Sequence, residues 1–139
     1  MNEPGRYRGW LYAAALYNTV WGTWAIIGPA SMLHILDLHV RPLVLWQVVG
    51  MLVLVYAPGY WWAGRRPDDR PQLIVIAFLG KTLGLTGFAY ALASGALPFS
   101  FGLIAFTNDA LWLPAFGLYL AASSRSAGGW RALLADSAR

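Results

Sequence analysis

Cysteine is absent from the 139 residues, which excludes structural disulfides, thiolate metal sites, iron–sulfur clusters and membrane thiol–quinone relays. Histidine occurs only twice, too seldom for a histidine-rich di-iron membrane centre. Both histidines, His34 and His39, lie between apolar runs rather than inside them. That removes a Ser–His dyad or bis-histidine haem within a helix bundle. His34, Asp37 and His39 lack a fourth ligand, and no metal is expected there. No Gly-x-Ser-x-Gly, HExxH, P-loop or GxGxxG pattern occurs, so the corresponding hydrolase, zinc-protease and nucleotide-binding chemistries have no signature. Charge is also scarce: 12% of residues are charged, against about 25% in a soluble domain.

Apolar runs fill the space that charge leaves. Hydrophobic residues make up 58% of the chain and the mean hydropathy is +0.51. Four stretches approach the roughly 20 residues that cross a bilayer as helix. They cover about 9–28, 42–64, 71–93 and 99–122, and prolines open the last three, where a first helical turn tolerates a missing N–H. The expected fold is all-α: a four-helix transmembrane bundle with a short outer amphipathic segment between the first two helices. Residues 1–123 form the domain and 124–139 a cytoplasmic tail. The first span has a basic flank (Arg6, Arg8) but is too long for a signal-peptide core and lacks a cleavage site, so it reads as a retained anchor.

Arginine placement predicts orientation. Arg6, Arg8, Arg65, Arg66, Arg70, Arg125, Arg131 and Arg139 fall on one side and Arg41 alone on the other. The positive-inside rule then puts both termini in the cytoplasm of a multi-pass membrane protein. The net charge of +4 belongs to helix ends, which points to lipid headgroups rather than nucleic acid. Tyr7, Trp10, Tyr60, Trp61 and Trp62 are expected in a cytoplasmic aromatic belt, with Trp24, Trp46 and Phe99 in an outer one.

Ser31 to Val40 suits a short surface helix, with His34, Asp37 and Arg41 on its polar face and Met32, Leu33, Leu36 and Val40 toward lipid. Ser123 to Gly129 reads as flexible, followed by an amphipathic run carrying Trp130, Leu133 and Leu134.

Within the spans, Lys81 and Asp109 are the ordinarily ionisable groups. Lys81 lies ten residues past Pro71 and Asp109 ten past Phe99, each about 15 Å deep at 1.5 Å per residue. Both therefore sit near the middle of a core about 30 Å thick. Each is 14 residues from Gly95, level across a tight hairpin. Two lone charges at that depth would cost roughly 5–7 kcal/mol, so an ion pair facing the bundle interior is expected. Asn18, Trp21, Asn108 and Trp112 collect at the same level, and Thr82 and Thr86 accompany Lys81. Pro114 opposes the Ala110 carbonyl and Pro58 that of Leu54, predicting kinks. Gly80, Gly84 and Gly87 form a small-residue face suited to close helix approach.

The candidate ligand-binding set is thus Asn18, Trp21, Lys81, Asn108, Asp109 and Trp112, with no complete catalytic set beside it. The expected function is a mid-membrane polar pocket for a small lipophilic or polar ligand in an accessory or carrier component. A quinone-binding oxidoreductase subunit and a purely structural subunit are the alternatives. No cofactor is required except, in the second reading, a quinone. A membrane-protein partner or a second copy of the chain fits either reading. Four-helix multidrug transporters are of similar size but use a glutamate in the first helix, where this chain has Asn18.

The layout resembles the DoxX-like group of small bacterial membrane proteins. The resemblance rests on Trp21 to Pro29 closing the first helix with Gly-Pro and on the outer amphipathic stretch. Trp46-Gln47-Val48-Val49-Gly50 opening the second helix and the basic Arg65 to Arg70 turn complete it. Some relatives in that group are associated with thiosulfate:quinone or terminal-oxidase systems, which implies an accessory redox role. The resemblance transfers no site residue.

Overall fold

A computed structural model describes residues 3–135, so Arg139 lies outside the described residues. Helices and turns account for all of the architecture, and no strand occurs among the described residues. A 3-10 turn, Pro4–Tyr7, leads into α1 (Arg8–Ile27). Gly28 stands outside helical geometry before Pro29, which a following proline favours. The chain then enters α2 (Pro29–Ile35). Two long helices follow, α3 (Leu43–Arg65) and α4 (Gln72–Ala93), capped by Pro42 and Pro71. Past Pro98 comes an interrupted helix. It contains a 3-10 turn (Phe99–Phe101), α5 (Gly102–Ala105), a π-turn (Phe106–Ala110) and α6 (Leu113–Ala127). The short α7 (Trp130–Leu134) closes the described chain.

Among the described residues, three helices are long and apolar enough to cross a membrane: Leu43–Arg65, Gln72–Ala93 and the interrupted Phe99–Ala127. The first predicted span has the length, 20 residues in α1, but its tryptophans, tyrosines, Asn18 and threonines dilute its hydropathy. Large apolar side chains point outward all round, including Leu16, Val20, Leu52, Val55, Leu79, Leu83, Leu103 and Leu118. Water-soluble monomers rarely expose contiguous apolar patches beyond a few hundred Å².

The tightest helix pairing is α1 against α3, and two glycines permit it. A Cβ on Gly22 would lie 2.8 Å from the Gly50 carbonyl oxygen, and one on Gly50 would lie 2.7 Å from the Ala25 Cβ. Side chains lock the same seam: Gln47 Nε2 donates to the Ile26 carbonyl at 2.8 Å. Two apolar cores result. One gathers Leu11, Tyr60, Ile74, Phe116 and Tyr119, the other Trp21, Met32, Leu33, Trp46 and Ile104. Tyr17 packs against both.

Several local expectations are corrected. Met32 and Leu33 are buried against the second core rather than turned toward lipid, and Asp37 (φ 51°) ends the segment after α2. The Trp46 indole is buried and donates to the Met32 sulfur at 3.4 Å, and Tyr60 is packed on Phe116 with ring centres 5.1 Å apart. Neither is a belt residue, whereas Trp10, Trp61, Trp62 and Phe99 are exposed. Ser123 and Ser124 are buried residues of α6, which runs on to Ala127 before Gly128 (φ 85°) and Gly129 (φ 125°) turn the chain. Left-handed backbone of this kind is where glycine ends helices without strain. Leu133 of α7 is buried, and Gln72 Nε2 donates to its carbonyl at 2.7 Å.

Candidate functional site

Pro114 organises the site. It lacks an N–H and occupies the first turn of α6, so the helix ahead of it cannot run on unbroken. The conflict is absorbed over Phe106–Ala110 as a π-turn. The Leu111 N–H donates to the Phe106 carbonyl at 2.9 Å and the Trp112 N–H to the Asp109 carbonyl at 3.2 Å. In an unbroken α-helix those two amides would serve Thr107 and Asn108. Side chains take their place: Trp112 Nε1 donates to the Thr107 carbonyl at 2.9 Å, and Lys81 Nζ donates to the Asn108 carbonyl. π-turns of this sort cluster at functional sites.

Lys81 and Asp109 meet as expected. Nζ lies 3.6 Å from Oδ1, with side-chain exposures of only 7% and 17%, so the pair is shielded. The Asp109 carboxylate rests on α4 at Gly84, where a Cβ would come within 2.6 Å of Oδ2. Gly80 likewise makes room for the Tyr56 hydroxyl, and nothing lies within 4 Å of a Cβ on Gly87. The glycine face of α4 thus accommodates polar groups rather than a close backbone crossing. Gly84 is a site residue the sequence reading passed over as packing, although its place one turn beyond Lys81 was a signal.

Asn18 is almost wholly buried and donates through Nδ2 to the Val53 carbonyl at 2.9 Å. That carbonyl belongs to the stretch of α3 just ahead of Pro58. The Asn18 Oδ1 and Asn108 Oδ1 atoms are buried acceptors without a hydrogen-bonding partner. Trp112 is buried against Tyr17, with ring centres 5.4 Å apart, and meets Trp10 edge-on at 6.2 Å. Trp21 instead faces Trp46 in the second core, 5.5 Å between ring centres. Thr82 and Thr86 donate to the Phe78 and Thr82 carbonyls of their own helix on its exposed side. They take no part in the cluster. Tyr17, Tyr56, Tyr60 and Thr107 border it, and no spacing rule in the sequence singles them out.

Chemically, the Lys81–Asp109 pair supplies a cation and a carboxylate, and Asn18 and Asn108 each carry a buried amide oxygen without a partner. It lacks the second carboxylate or the histidine that general acid–base work would ordinarily use. No family model matches the chain, and neither the curated proteins nor the solved structures contain a match.

Proposed function

We propose that the chain is a four-span protein of a bacterial inner membrane, with both termini cytoplasmic. In this reading it holds a small or lipophilic ligand at a mid-membrane polar site and acts as an accessory or carrier component. The observation that carries it is the shielded Lys81–Asp109 pair built into a broken helix. Ionisable groups in apolar spans are costly, and they are retained mainly for ligand, ion or proton handling. α1 completes the bundle as a fourth span through its seam with α3, and its Asn18 adds a buried amide. The two unpartnered amide oxygens favour a ligand that donates hydrogen bonds, because a buried acceptor left alone costs about 1–3 kcal/mol.

That preference bears on the quinone-binding alternative implied by a DoxX-like layout. A reduced quinol offers two hydroxyl donors, whereas an oxidised quinone offers none. Trp112 and Tyr17 supply an aromatic wall for such a ring.

Two measurements test the proposal. Alkaline carbonate treatment of membranes should leave the chain in the pellet; release into the supernatant refutes membrane embedding. Gentle extraction followed by native mass spectrometry and an absorption spectrum should reveal a bound lipophile that is lost in the Lys81→Met, Asp109→Asn double variant. An empty wild-type bundle leaves only the structural-subunit reading.

A further inference from the structure

A second site lies where α3 ends and α4 begins, at the Arg65–Arg70 connection, about two turns of α4 before Lys81. An open groove of about 420 Å³ is lined by Trp62, Arg65, Arg66, Asp69, Arg70 and Leu73. Three arginines and one aspartate thus line a space large enough for a phosphodiester and its glycerol. Asp69 is engaged by Arg66 at 3.4 Å, in a contact exposed on both sides (78% and 53%), and such pairs exchange readily for a better anion. Arginine suits that anion, since its planar fork binds phosphate oxygens two at a time.

The groove is preorganised. The connection that carries it is tied down from below by Tyr119, whose hydroxyl donates to the Pro67 carbonyl at 2.6 Å. From the side, Gln72 holds the Leu133 carbonyl, and the Asp69 N–H donates to the Arg66 carbonyl at 3.2 Å. The apolar part of the lining decides the kind of ligand. Trp62 is 58% exposed, and with Leu73 it forms a wall beside the arginines at the end of two helices of membrane-crossing length. A soluble phosphate has no use for such a wall; a lipid has, because its acyl chains run down it while its phosphate meets the guanidinium groups.

We infer that this groove binds the headgroup phosphate of an anionic phospholipid in the leaflet at the Arg65–Arg70 end of the bundle. The inference rests on the membrane reading above. It adds a specific lipid site, separate from the mid-membrane cluster, that anchors the second connection to one leaflet.

The test uses the full chain in a neutral detergent, offered equal amounts of phosphatidylglycerol and phosphatidylcholine and read by native mass spectrometry. One phosphatidylglycerol should be retained in clear preference. Each of Arg65→Gln, Arg66→Gln and Arg70→Gln should lower that preference about fivefold, the size expected for one basic residue at an anionic leaflet. Arg6→Gln, which lies outside the groove, should leave it unchanged. Should a groove variant fail to fold, the wild type still decides. Raising ammonium acetate from about 0.1 M to about 1 M shortens the screening length from about 10 Å to about 3 Å and should abolish the preference. Equal retention of the two lipids, or a preference indifferent to salt, overturns the inference. Complete displacement by millimolar inorganic phosphate assigns the groove to a soluble anion and also overturns it. A chain that withstands carbonate yet shows no lipid preference refutes this site alone. Release by carbonate instead refutes the membrane reading beneath it.

Discussion

Removing Lys81 should do more than break an ion pair, because its ammonium serves two acceptors. At 3.6 Å and an effective dielectric constant near 20, the attraction to Asp109 is about 4–5 kcal/mol before desolvation is subtracted. The Asn108 carbonyl receives a charge-assisted hydrogen bond as well, worth about 1.5–3 kcal/mol. Lys81→Met leaves a shielded carboxylate alone and should cost about 3–5 kcal/mol, as breaking one side of a buried pair does. Asp109→Asn keeps an acceptor oxygen but removes the ammonium's counter-charge, and should cost a comparable amount. The double variant removes both charges, so it should recover most of the Coulombic loss. It should not recover all of it. With no α-helical amide directed to it, the Asn108 carbonyl stays without its donor, and about 1–3 kcal/mol should remain. Equilibrium unfolding of the purified protein in mixed micelles measures all three variants against wild type. A double variant as unstable as the two singles added together would show that the groups do not act as a unit. Full recovery to wild-type stability would refute the claim that the broken helix takes part.

Gly84→Ala should displace the Asp109 carboxylate and lower stability by a large part of the Lys81→Met effect, since its Cβ would sit 2.6 Å from Oδ2. Gly87→Ala meets nothing within 4 Å and should gain up to about 1 kcal/mol from helix propensity; thermal unfolding of the two variants side by side checks the contrast. Trp112→Phe keeps most of the ring contacts but strips the Thr107 carbonyl of its donor, at about 1–3 kcal/mol, and the same unfolding assay reads it. Reporter fusions at both termini should give cytoplasmic signals, while cysteines introduced at Ser31 and Ala96 should label from outside; a periplasmic signal from either terminus would refute the four-span orientation.

What the sequence made legible is what counting alone can reach. Pro42, Pro71 and Pro98 each stand directly before the helix they were expected to open, because a missing N–H is harmless only there. Lys81 and Asp109 could be paired by depth, because equal distances from the hairpin's turn stay nearly level even with the second helix interrupted. Contacts that depend on which way a face turns were less accessible. Met32, Leu33, Trp46 and Tyr60 are apolar or aromatic enough for either lipid or core, and hydropathy does not distinguish the two. The glycines were misread for the same reason. Gly22 and Gly50 form the close helix crossing without a GxxxG spacing on either helix, while the glycine face of α4 receives a carboxylate and a hydroxyl.

Pro114 announced a kink but not its consequence. The broken helix exposes carbonyls where an unbroken one would have none, and one of them lies where Lys81 reaches it. Charge and irregular backbone, each costly in an apolar surround when alone, lower one another's cost here. The carbonyl gives the ammonium an acceptor that Asp109, at 3.6 Å, does not fully supply. The ammonium in turn supplies a donor that the π-turn has directed away. A residue-by-residue scale counts Lys81, Asp109 and Pro114 as three separate penalties. Their arrangement makes them one polar unit, and for that reason the hydropathy of the interrupted helix overstates the cost of Lys81, Asp109 and the broken backbone together.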